Sequence, residues 1–260
     1  MLKILKYSIY DLMRSRWSYV YFFFYLLLGF VLLFLNNDVS KAVITLMNII
    51  IVLTPLIGSI FGVMYYYNSK EFTELLLAQP IKRNKIFFGQ YTGISLSLTL
   101  SLVLGLGIPF VAYGLFRSTA IFDFTLLLVV GSFLNFIFVA ISYNIALSTE
   151  NKIKGFGYAI LMWLFLAVVY DGLFLISLLM FSEYPLDKFS LFATMLNPID
   201  LSRILILLKL DISALLGYTG AVFRKFFGTD LGMILSMSVL SLWVVLPLLF
   251  MKRKFSRKDF

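Results

Sequence analysis

The 260-residue sequence contains no cysteine and no histidine. These absences exclude a tight zinc or copper site of thiolate or imidazole ligands, so we expect no metal site of that kind. They also exclude intramembrane enzymes that depend on histidine. Ten methionines remain, and thioethers suit Cu(I). Met233 and Met237 lie one helical turn apart, but a methionine pair on an apolar helix is far more often packing.

Charged residues are also scarce. They make up 13 % of the chain, apolar residues make up 61 %, and the mean hydropathy is +0.97. Soluble domains are usually about half apolar and about a quarter charged, so a water-soluble fold could not bury this much apolar surface. The net charge of +9 does not indicate a nucleic-acid partner, because the basic residues lie beside apolar runs and not in a patch with interleaved aromatics. The composition predicts an integral membrane protein in a lipid bilayer.

Six apolar segments are long enough to cross a membrane. A hydrocarbon core of roughly 30 Å needs about 20 helical residues, and a helix satisfies its own backbone groups there. The segments are residues 17–35, 43–67, 92–116, 124–147, 156–181 and 231–251. The first is too long for a signal peptide, and no small-residue cleavage site follows it. We therefore predict one all-α transmembrane domain with six transmembrane helices over residues 1–260.

Lysine and arginine are divided unevenly between the two sides of these spans. With an even number of spans, both termini and the loops after the second and fourth spans share one side, which carries fifteen basic residues. The two short loops on the other side carry only Lys41 and Arg117. Because basic loops stay in the cytoplasm, both termini are expected to be cytoplasmic, with the chain in the inner membrane.

The remaining long segment, residues 182–230, has balanced charge and an apolar middle. A seventh span through residues 204–223 would bury Lys209 and Asp211 in hydrocarbon and would place the basic C-terminal tail outside. Both consequences are unfavourable. We therefore interpret the segment as an outer loop that contains two short helices.

The first of these helices is predicted from Asn197, a good N-cap, and Pro198 at the first helical position. It runs to about Lys209, and Arg203 can pair with Asp200 one turn away. The second helix runs over residues 211–227, where Gly217 and Gly220 permit close backbone approach. We interpret the two as a re-entrant hairpin in the outer leaflet. An amphipathic cap that lies flat on the membrane surface is the alternative.

Two further short helices are predicted on the cytoplasmic side. Residues 1–16 place apolar residues three and four apart with basic residues between them, which is typical of an amphipathic interfacial helix. In residues 69–80, Ser69 is a candidate N-cap, Glu71 and Glu74 lie in the first turns, and Pro80 ends the helix. The second helix interrupts the apolar segments between the second and third spans.

The helix at residues 69–80 carries an apolar cluster, Leu75 to Leu77, on a segment too short to cross a membrane. With Phe72, Leu75 and Leu76 make one apolar face. Exposed apolar clusters usually mark a partner site, so we interpret this helix as a docking element. An ordinary capped loop helix is the alternative.

Few polar residues lie inside the spans. Asp171 is the only acidic one, and both a transport-pathway role and a structural role are open for it. Asn48, Asn135 and Asn144 are interpreted as interhelical hydrogen-bond donors. An aspartyl protease needs two intramembrane acids, so this class is excluded. An ion-coupled carrier would need several ionisable groups or an inverted repeat, which makes a secondary transporter the weaker alternative.

The order of these elements resembles that of the type 2 ABC exporter permeases. Within that class, residues 71–80, continuing to Arg83 and Gly89, are similar to the coupling segment of the NosY branch. This branch supplies the membrane subunit of the nitrous oxide reductase maturation transporter. Residues 196–203 and 217–223 are similar to its outer segment.

The resemblance implies a homodimer of this chain, two copies of a cytoplasmic ABC ATPase, and a periplasmic repeat (solenoid) protein seated on the outer hairpins. The chain has no G-x-x-x-x-G-K-S/T loop, so ATP and Mg would be bound by the partner ATPase, and this chain would be no enzyme and bind no cofactor. The implied work is ATP-driven export for copper-site assembly, with a sulfur species or mechanical work on the outer partner. A lipid, drug or ion exporter of the same class is the alternative.

The resemblance also implies site residues. The residues for ATPase coupling are Glu71, Phe72, Glu74, Leu75, Leu76, Gln79, Pro80 and Arg83. The residues for the outer partner platform are Asn197, Pro198, Asp200, Arg203, Gly217 and Gly220. Apart from the resemblance, the polar residues Asp171, Asn135 and Asn144 inside the spans are candidates for a transport pathway.

Overall fold

The computed structural model describes residues 16–36, 38–181, 186–209 and 230–257. The predicted interfacial helix, except for its last residue, and the second arm of the predicted hairpin, with Gly217 and Gly220, lie outside these residues. Within the described part of the chain, every regular element is helical. This agrees with the all-α class predicted from composition.

The helices follow one another with short connections. In chain order they are α1 (Arg16–Asn36), α2 (Val39–Asn68), α3 (Lys70–Leu77), α4 (Arg83–Ala112), α5 (Ile121–Ser148), α6 (Lys152–Leu164), α7 (Tyr170–Met180), α8 (Asp187–Met195), α9 (Pro198–Lys209) and α10 (Asp230–Arg257). A π-helical segment, Phe165–Val169, joins α6 to α7, and a 3₁₀ turn, Leu115–Arg117, follows α4.

Six of the described helical units are long and apolar enough to cross a membrane: α1, α2, α4, α5, the continuous unit from α6 to α7, and α10. A seventh would be counted only if α8 and α9, between which the helix axis bends by 115°, formed one broken span. The protein is therefore a multi-pass all-α membrane protein, as the hydropathy predicted. The short α8 had no counterpart in the prediction.

The third span lies earlier in the chain than predicted. It begins at Arg83, whereas hydropathy placed its start at residue 92, because a helix continues through polar residues at the membrane surface that an apolar pattern does not include. It ends at Ala112 and not at residue 116. Gly114 follows with φ of 91°, a left-handed conformation that glycine adopts without steric cost. The chain therefore turns there before the 3₁₀ segment.

Side-chain caps explain where two of the spans begin. The carboxylate of Asp38 accepts a hydrogen bond from the backbone N–H of Ser40 at 2.9 Å, at the start of α2. The side chain of Asn151 accepts hydrogen bonds from the backbone N–H groups of Ile153 and Lys154 at the start of α6. Each cap satisfies N–H groups that the first helical turn leaves unpaired.

Small residues allow the central helices to approach closely. A Cβ added at Gly105 of α4 would lie 2.8 Å from the Cβ of Tyr25 in α1. A Cβ added at Gly62 of α2 would lie 3.2 Å from the backbone carbonyl of Val139 in α5. Membrane helices associate through such close packing because lipid provides no hydrophobic drive between them. The pairs α1–α4 and α2–α5 form the centre of the bundle.

Helix α9 inserts among the spans. Ile199, Leu201 and Ile206 are fully buried, and α9 contacts α2, α5 and α10. The prediction of a helix from Pro198 to about Lys209 is confirmed. A cap lying flat on the surface would leave one side of α9 open, so its burial favours the inserted arrangement. α9 therefore positions polar residues against the fifth span.

The charge bias gives a testable topology, because the chain has no native cysteine. Single cysteines at Ser40, in the first turn of α2, and at Thr119 should react with an impermeant maleimide in intact cells, since both lie on the side with few basic residues. Cysteines at Gln79 and Glu150 should react only after permeabilisation. Labelling at Gln79 in intact cells would show that the orientation is opposite to the predicted one. Labelling of a cysteine at Ser256 in intact cells would show an odd number of spans.

Candidate functional site

Helix α3 follows α2 with one residue between them. That residue, Ser69, was expected to cap α3 with its side chain, and this expectation is wrong. Its backbone is not extended (φ −94°, ψ 6°), because α2 passes almost directly into α3. The hydroxyl instead donates to the backbone carbonyl of Tyr65, 2.7 Å away in the last turn of α2. The connection between the two helices is therefore a single residue that is hydrogen-bonded to α2.

The outward face of α3 is mixed apolar and acidic. Leu75 is 68 % exposed, Phe72 and Leu76 are half-buried, and Glu71 and Glu74 are exposed. Gln79, Pro80 and Arg83 are exposed after the end of the helix at Leu77. The ion pair between Lys70 and Glu74 spans 3.9 Å at the surface, where such pairs contribute little stability. An exposed leucine beside carboxylates is thus the main feature of this face.

The inward face of α3 is held by a buried chain of hydrogen bonds. Thr73 donates to the backbone carbonyl of Ser69 at 2.7 Å and accepts from the side-chain amide of Gln90 in α4 at 2.9 Å. The hydroxyl of Tyr143 in α5 donates to the amide oxygen of Gln90 at 2.7 Å. Thr73, Gln90 and Tyr143 are all buried, so the chain ties α3 to the third and fourth spans.

Aromatic rings extend this connection to the second and sixth spans. The ring of Tyr143 meets Tyr66 of α2 edge to face at 5.3 Å and lies 6.5 Å from Phe255 of α10. Phe255 in turn stacks on Phe87 of α4, with ring centroids 3.4 Å apart. The ends of four spans therefore meet in one packed layer beside α3. Sequence reasoning missed this layer and the role of Gln90, for which a glutamine beside an apolar run was the only signal.

A second polar cluster joins α9 to the fifth span. Arg203 donates to a carboxylate oxygen of Asp171 at 2.8 Å and lies 3.5 Å from a carboxylate oxygen of Asp200. The predicted pairing of Arg203 with Asp200 is confirmed. The contact with Asp171 was not predicted, although a lone acid and an arginine near the membrane are natural partners.

Asn197 is fully buried at the centre of this cluster. Its side chain accepts from the backbone N–H of Ile199 at 3.0 Å, which confirms it as the N-cap of α9. Its amide nitrogen donates to Asp200 and to the backbone carbonyl of Leu166, each at 2.7 Å. Leu166 belongs to the π-helical segment, an element that often occurs at functional sites. The irregular part of the fifth span thus accepts a hydrogen bond from α9.

Two more bonds hold the corner between α8 and α9. Tyr170 donates to the backbone carbonyl of Ala193 at 2.6 Å, and the indole of Trp243 in α10 donates to that of Met195 at 3.1 Å.

Asp200 lies outside the six spans. The pKa of its carboxyl is raised to about 6, because the effects of burial and of neighbouring Asp171, which raise it, outweigh those of Arg203 and Asn197, which lower it. The nearby arginine therefore favours the ionised form of Asp200.

The predicted pathway residues are not brought together. Asp171 pairs with Arg203, whereas Asn144 donates across the bundle to the backbone carbonyl of Pro247 in α10 at 2.7 Å. Asn135 is fully buried, with its amide oxygen close to Gly58 of α2. The interhelical hydrogen bond predicted for Asn144 is confirmed. Asn48 is exposed on its helix, where it faces the surroundings of the bundle.

The fold and these two clusters define a multi-pass membrane protein with two anchored short helices. α3 is held to the third and fourth spans, and α9 is held to the fifth span. No family model matches the chain. It is 28 % identical over 137 residues to a protein of Stutzerimonas stutzeri described as probable ABC transporter permease protein NosY, covering 50 % of this chain and 49 % of the relative. The protein of the same description from Pseudomonas aeruginosa is 27 % identical over 157 residues, or 54 % of this chain and 53 % of the relative.

The chain thus spans about half the length of the curated relatives it matches. Both relatives are described as permeases, which is consistent with the six apolar helices of this chain. The resemblance to NosY-like permeases noted from the sequence is confirmed. The similarity supports an ABC transporter permease.

The charged cluster gives a prediction about stability. Arg203→Met should lower the unfolding free energy by about 2 kcal/mol, because it leaves two carboxylates near each other without their cation. A thermal melt in detergent should shift down by roughly 5 °C. The double variant Asp171→Asn with Arg203→Met should recover part of this loss. Arg117→Met, which removes an exposed arginine, serves as control, and an equal loss in it would contradict the role of the cluster.

Proposed function

We propose that this chain is the membrane subunit of an ATP-driven ABC exporter, and that a separate cytoplasmic ATPase docks on α3. The supporting observation is that α3 has two different faces. Its outward face presents the exposed Leu75 beside the half-buried Phe72 and Leu76, and such apolar clusters usually mark a partner site. Its inward face is fixed to two spans through Thr73 and Gln90. A docking helix needs both properties.

The transmission of ATPase movement follows from this arrangement. Gln90 uses its amide nitrogen toward α3 and its amide oxygen toward α5, so a shift of α3 acts on both α4 and α5. The aromatic layer around Tyr143 and Phe255 carries the shift to α2 and α10. Closely packed interiors have few voids and transmit displacement. In this proposal, Thr73, Gln90 and Tyr143 are positioning residues for coupling.

A homodimer with two ATPase copies is the assembly that we infer. The fifth and sixth spans are only 11 % buried within one chain, whereas the second, third and fourth are about half buried. Side chains such as Leu161, Val168 and Leu173 are exposed along the fifth span. In a bilayer these surfaces face lipid or another copy of the chain. The ABC permease similarity supports a second copy.

The NosY resemblance extends this proposal to the maturation of nitrous oxide reductase. In that maturation process, the exporter would serve copper-site assembly by moving a sulfur species or by mechanical work on a periplasmic solenoid protein. The anchored corner of α8 and α9 supports an outer platform, because Asn197, Asp200 and Arg203 hold it to the fifth span. Transport of a lipid, drug or ion by another member of the class is the alternative. A secondary transporter is less well supported, because Asp171 is already paired with an arginine.

Docking can be tested with charge substitutions on α3. Leu75→Asp should abolish recovery of the co-expressed ATPase with the purified permease, because a carboxylate would replace the apolar contact at the centre of the interface. Phe122→Asp is a matched control, since Phe122 is 76 % exposed and begins the fourth span at the other end of the bundle. Both variants should reach the membrane in normal amounts. Full ATPase recovery with Leu75→Asp would refute docking on α3.

Coupling can be separated from docking at Gln90. Gln90→Met keeps the approximate side-chain volume but removes both buried hydrogen bonds. We expect the ATPase to remain bound while its stimulation by the permease falls at least tenfold, because the link from α3 to the spans is lost. Tyr143→Phe, which removes only the bond to the amide oxygen, should have a smaller effect in the same direction.

The control for Gln90 is Thr54→Val, which removes a buried hydrogen bond of 2.9 Å between Tyr25 and Thr54. Both variants lose stability for a similar reason, about 1 kcal/mol for each bond. Only the Gln90 variant should lose ATPase stimulation. A parallel loss in Thr54→Val would show that general destabilisation, and not the link to α3, causes the effect.

A further inference from the structure

A groove with a volume of about 640 Å³ lies between α5, α6 and α10. This volume falls within the roughly 300–1,000 Å³ of small-molecule sites. Its walls are mostly apolar, with Ile141, Ile145, Leu246 and Phe250 among the lining residues. The groove lies apart from Thr73 and Gln90 and from the cluster around Arg203, none of which lines it. Neither the ATPase coupling nor the outer platform proposed above uses it.

The length of the groove matches one leaflet of a bilayer. It reaches along α10 from Trp243 to Lys254. At a rise of 1.5 Å per residue, these two positions are about 16 Å apart along the helix axis. Half of a hydrocarbon core of roughly 30 Å is about the same length. A single acyl chain that runs from the membrane surface toward the midplane would therefore fit along the apolar wall.

One end of the groove is cationic. The ammonium group of Lys254 donates to the hydroxyl of Ser148 and, at 3.4 Å, to the backbone carbonyl of Asn144. Among the described residues that line the groove, none is acidic, so the groove supplies no carboxylate to balance this charge. Lys252 and Arg253 are exposed on the same helical turn and raise the positive potential at this end.

We propose that this groove binds one anionic phospholipid, with an acyl chain along Ile145, Leu246 and Phe250 and the headgroup phosphate at Lys254. A basic group at the surface end of a cleft between transmembrane helices is typical of sites for anionic headgroups. A soluble phosphate would leave the apolar wall exposed to water. A zwitterionic lipid also carries a phosphate, but its headgroup would bring a second cation next to Lys254 and the exposed Lys252 and Arg253. An anionic lipid covers the apolar wall with its acyl chain and places its headgroup at the cationic end of the groove. This inference does not depend on the proposed transport function.

Trp243 provides a probe inside the groove. The chain has three tryptophans, so Trp17→Phe with Trp163→Phe leaves Trp243 as the single fluorophore. The full chain in this background is reconstituted into phosphatidylcholine vesicles that contain brominated phosphatidylglycerol or brominated phosphatidylcholine at the same mole fraction. Bromine quenches tryptophan fluorescence on contact. We expect phosphatidylglycerol to bind in the groove about fivefold more strongly than phosphatidylcholine, as expected for one lysine near an anionic headgroup.

Two variants make the test specific. Lys254→Gln should remove the preference for brominated phosphatidylglycerol, whereas Lys252→Gln, an exposed lysine on the same helix end that does not line the groove, should keep it. Equal quenching by both lipids in the parent background would overturn the proposal. Loss of the preference in Lys252→Gln as well would show a general basic surface instead of a site. Absence of quenching by either lipid would show that a second copy of the chain covers the groove.

Discussion

Hydrocarbon offers no hydrogen-bond partner to a polar side chain, so a polar group placed among the spans is costly unless it finds a partner within the protein. This constraint accounts for the most ordered features of the bundle. Thr73, Gln90 and Tyr143 form a continuous buried chain, and Asn197 uses both its oxygen and its nitrogen. Arg203 and Asp171 are paired across two elements. These hydrogen bonds and ion pairs hold the short helices in position against the spans.

The two anchors share one chemical device. A carboxamide side chain carries a donor and an acceptor on the same rigid group, so it can join two partners of opposite type. Gln90 accepts from a tyrosine of the fourth span and donates to a threonine of α3. Asn197 accepts from the backbone of α9 and donates to a carbonyl of the π-helical segment. In each case, an element that does not span the membrane is tied to one that does.

The spans differ in how far one chain covers them. The second, third and fourth are about half buried, and the fifth and sixth are 11 % buried. The centre of the bundle is therefore complete within one chain, while the sides formed by α6, α7 and α10 depend on the surroundings. Both the second copy inferred for an exporter and the lipid inferred for the groove use those open sides. The proposed ATPase contact on α3 uses neither of them, so the two kinds of interaction occupy different surfaces of the protein.

Much of the fold was determined by local sequence patterns. Long apolar runs specified six spans, and Asn197 with Pro198 specified the start of α9, because hydropathy and helix caps act within a few residues. The spacing of Asp200 and Arg203 by one turn likewise predicted their contact.

Only the tertiary structure decided the rest. Ser69 bonds back to α2 instead of capping α3, because α2 passes almost directly into α3 and leaves Ser69 without the extended backbone of an N-cap. The π-helical segment and the pairing of Asp171 with Arg203 depend on how α9 packs against the fifth span. The link from Thr73 through Gln90 to Tyr143 joins three helices whose relative rotation no local pattern encodes. Contacts between helices are set by packing of side chains distant in the chain, and that packing exists only once the bundle has formed.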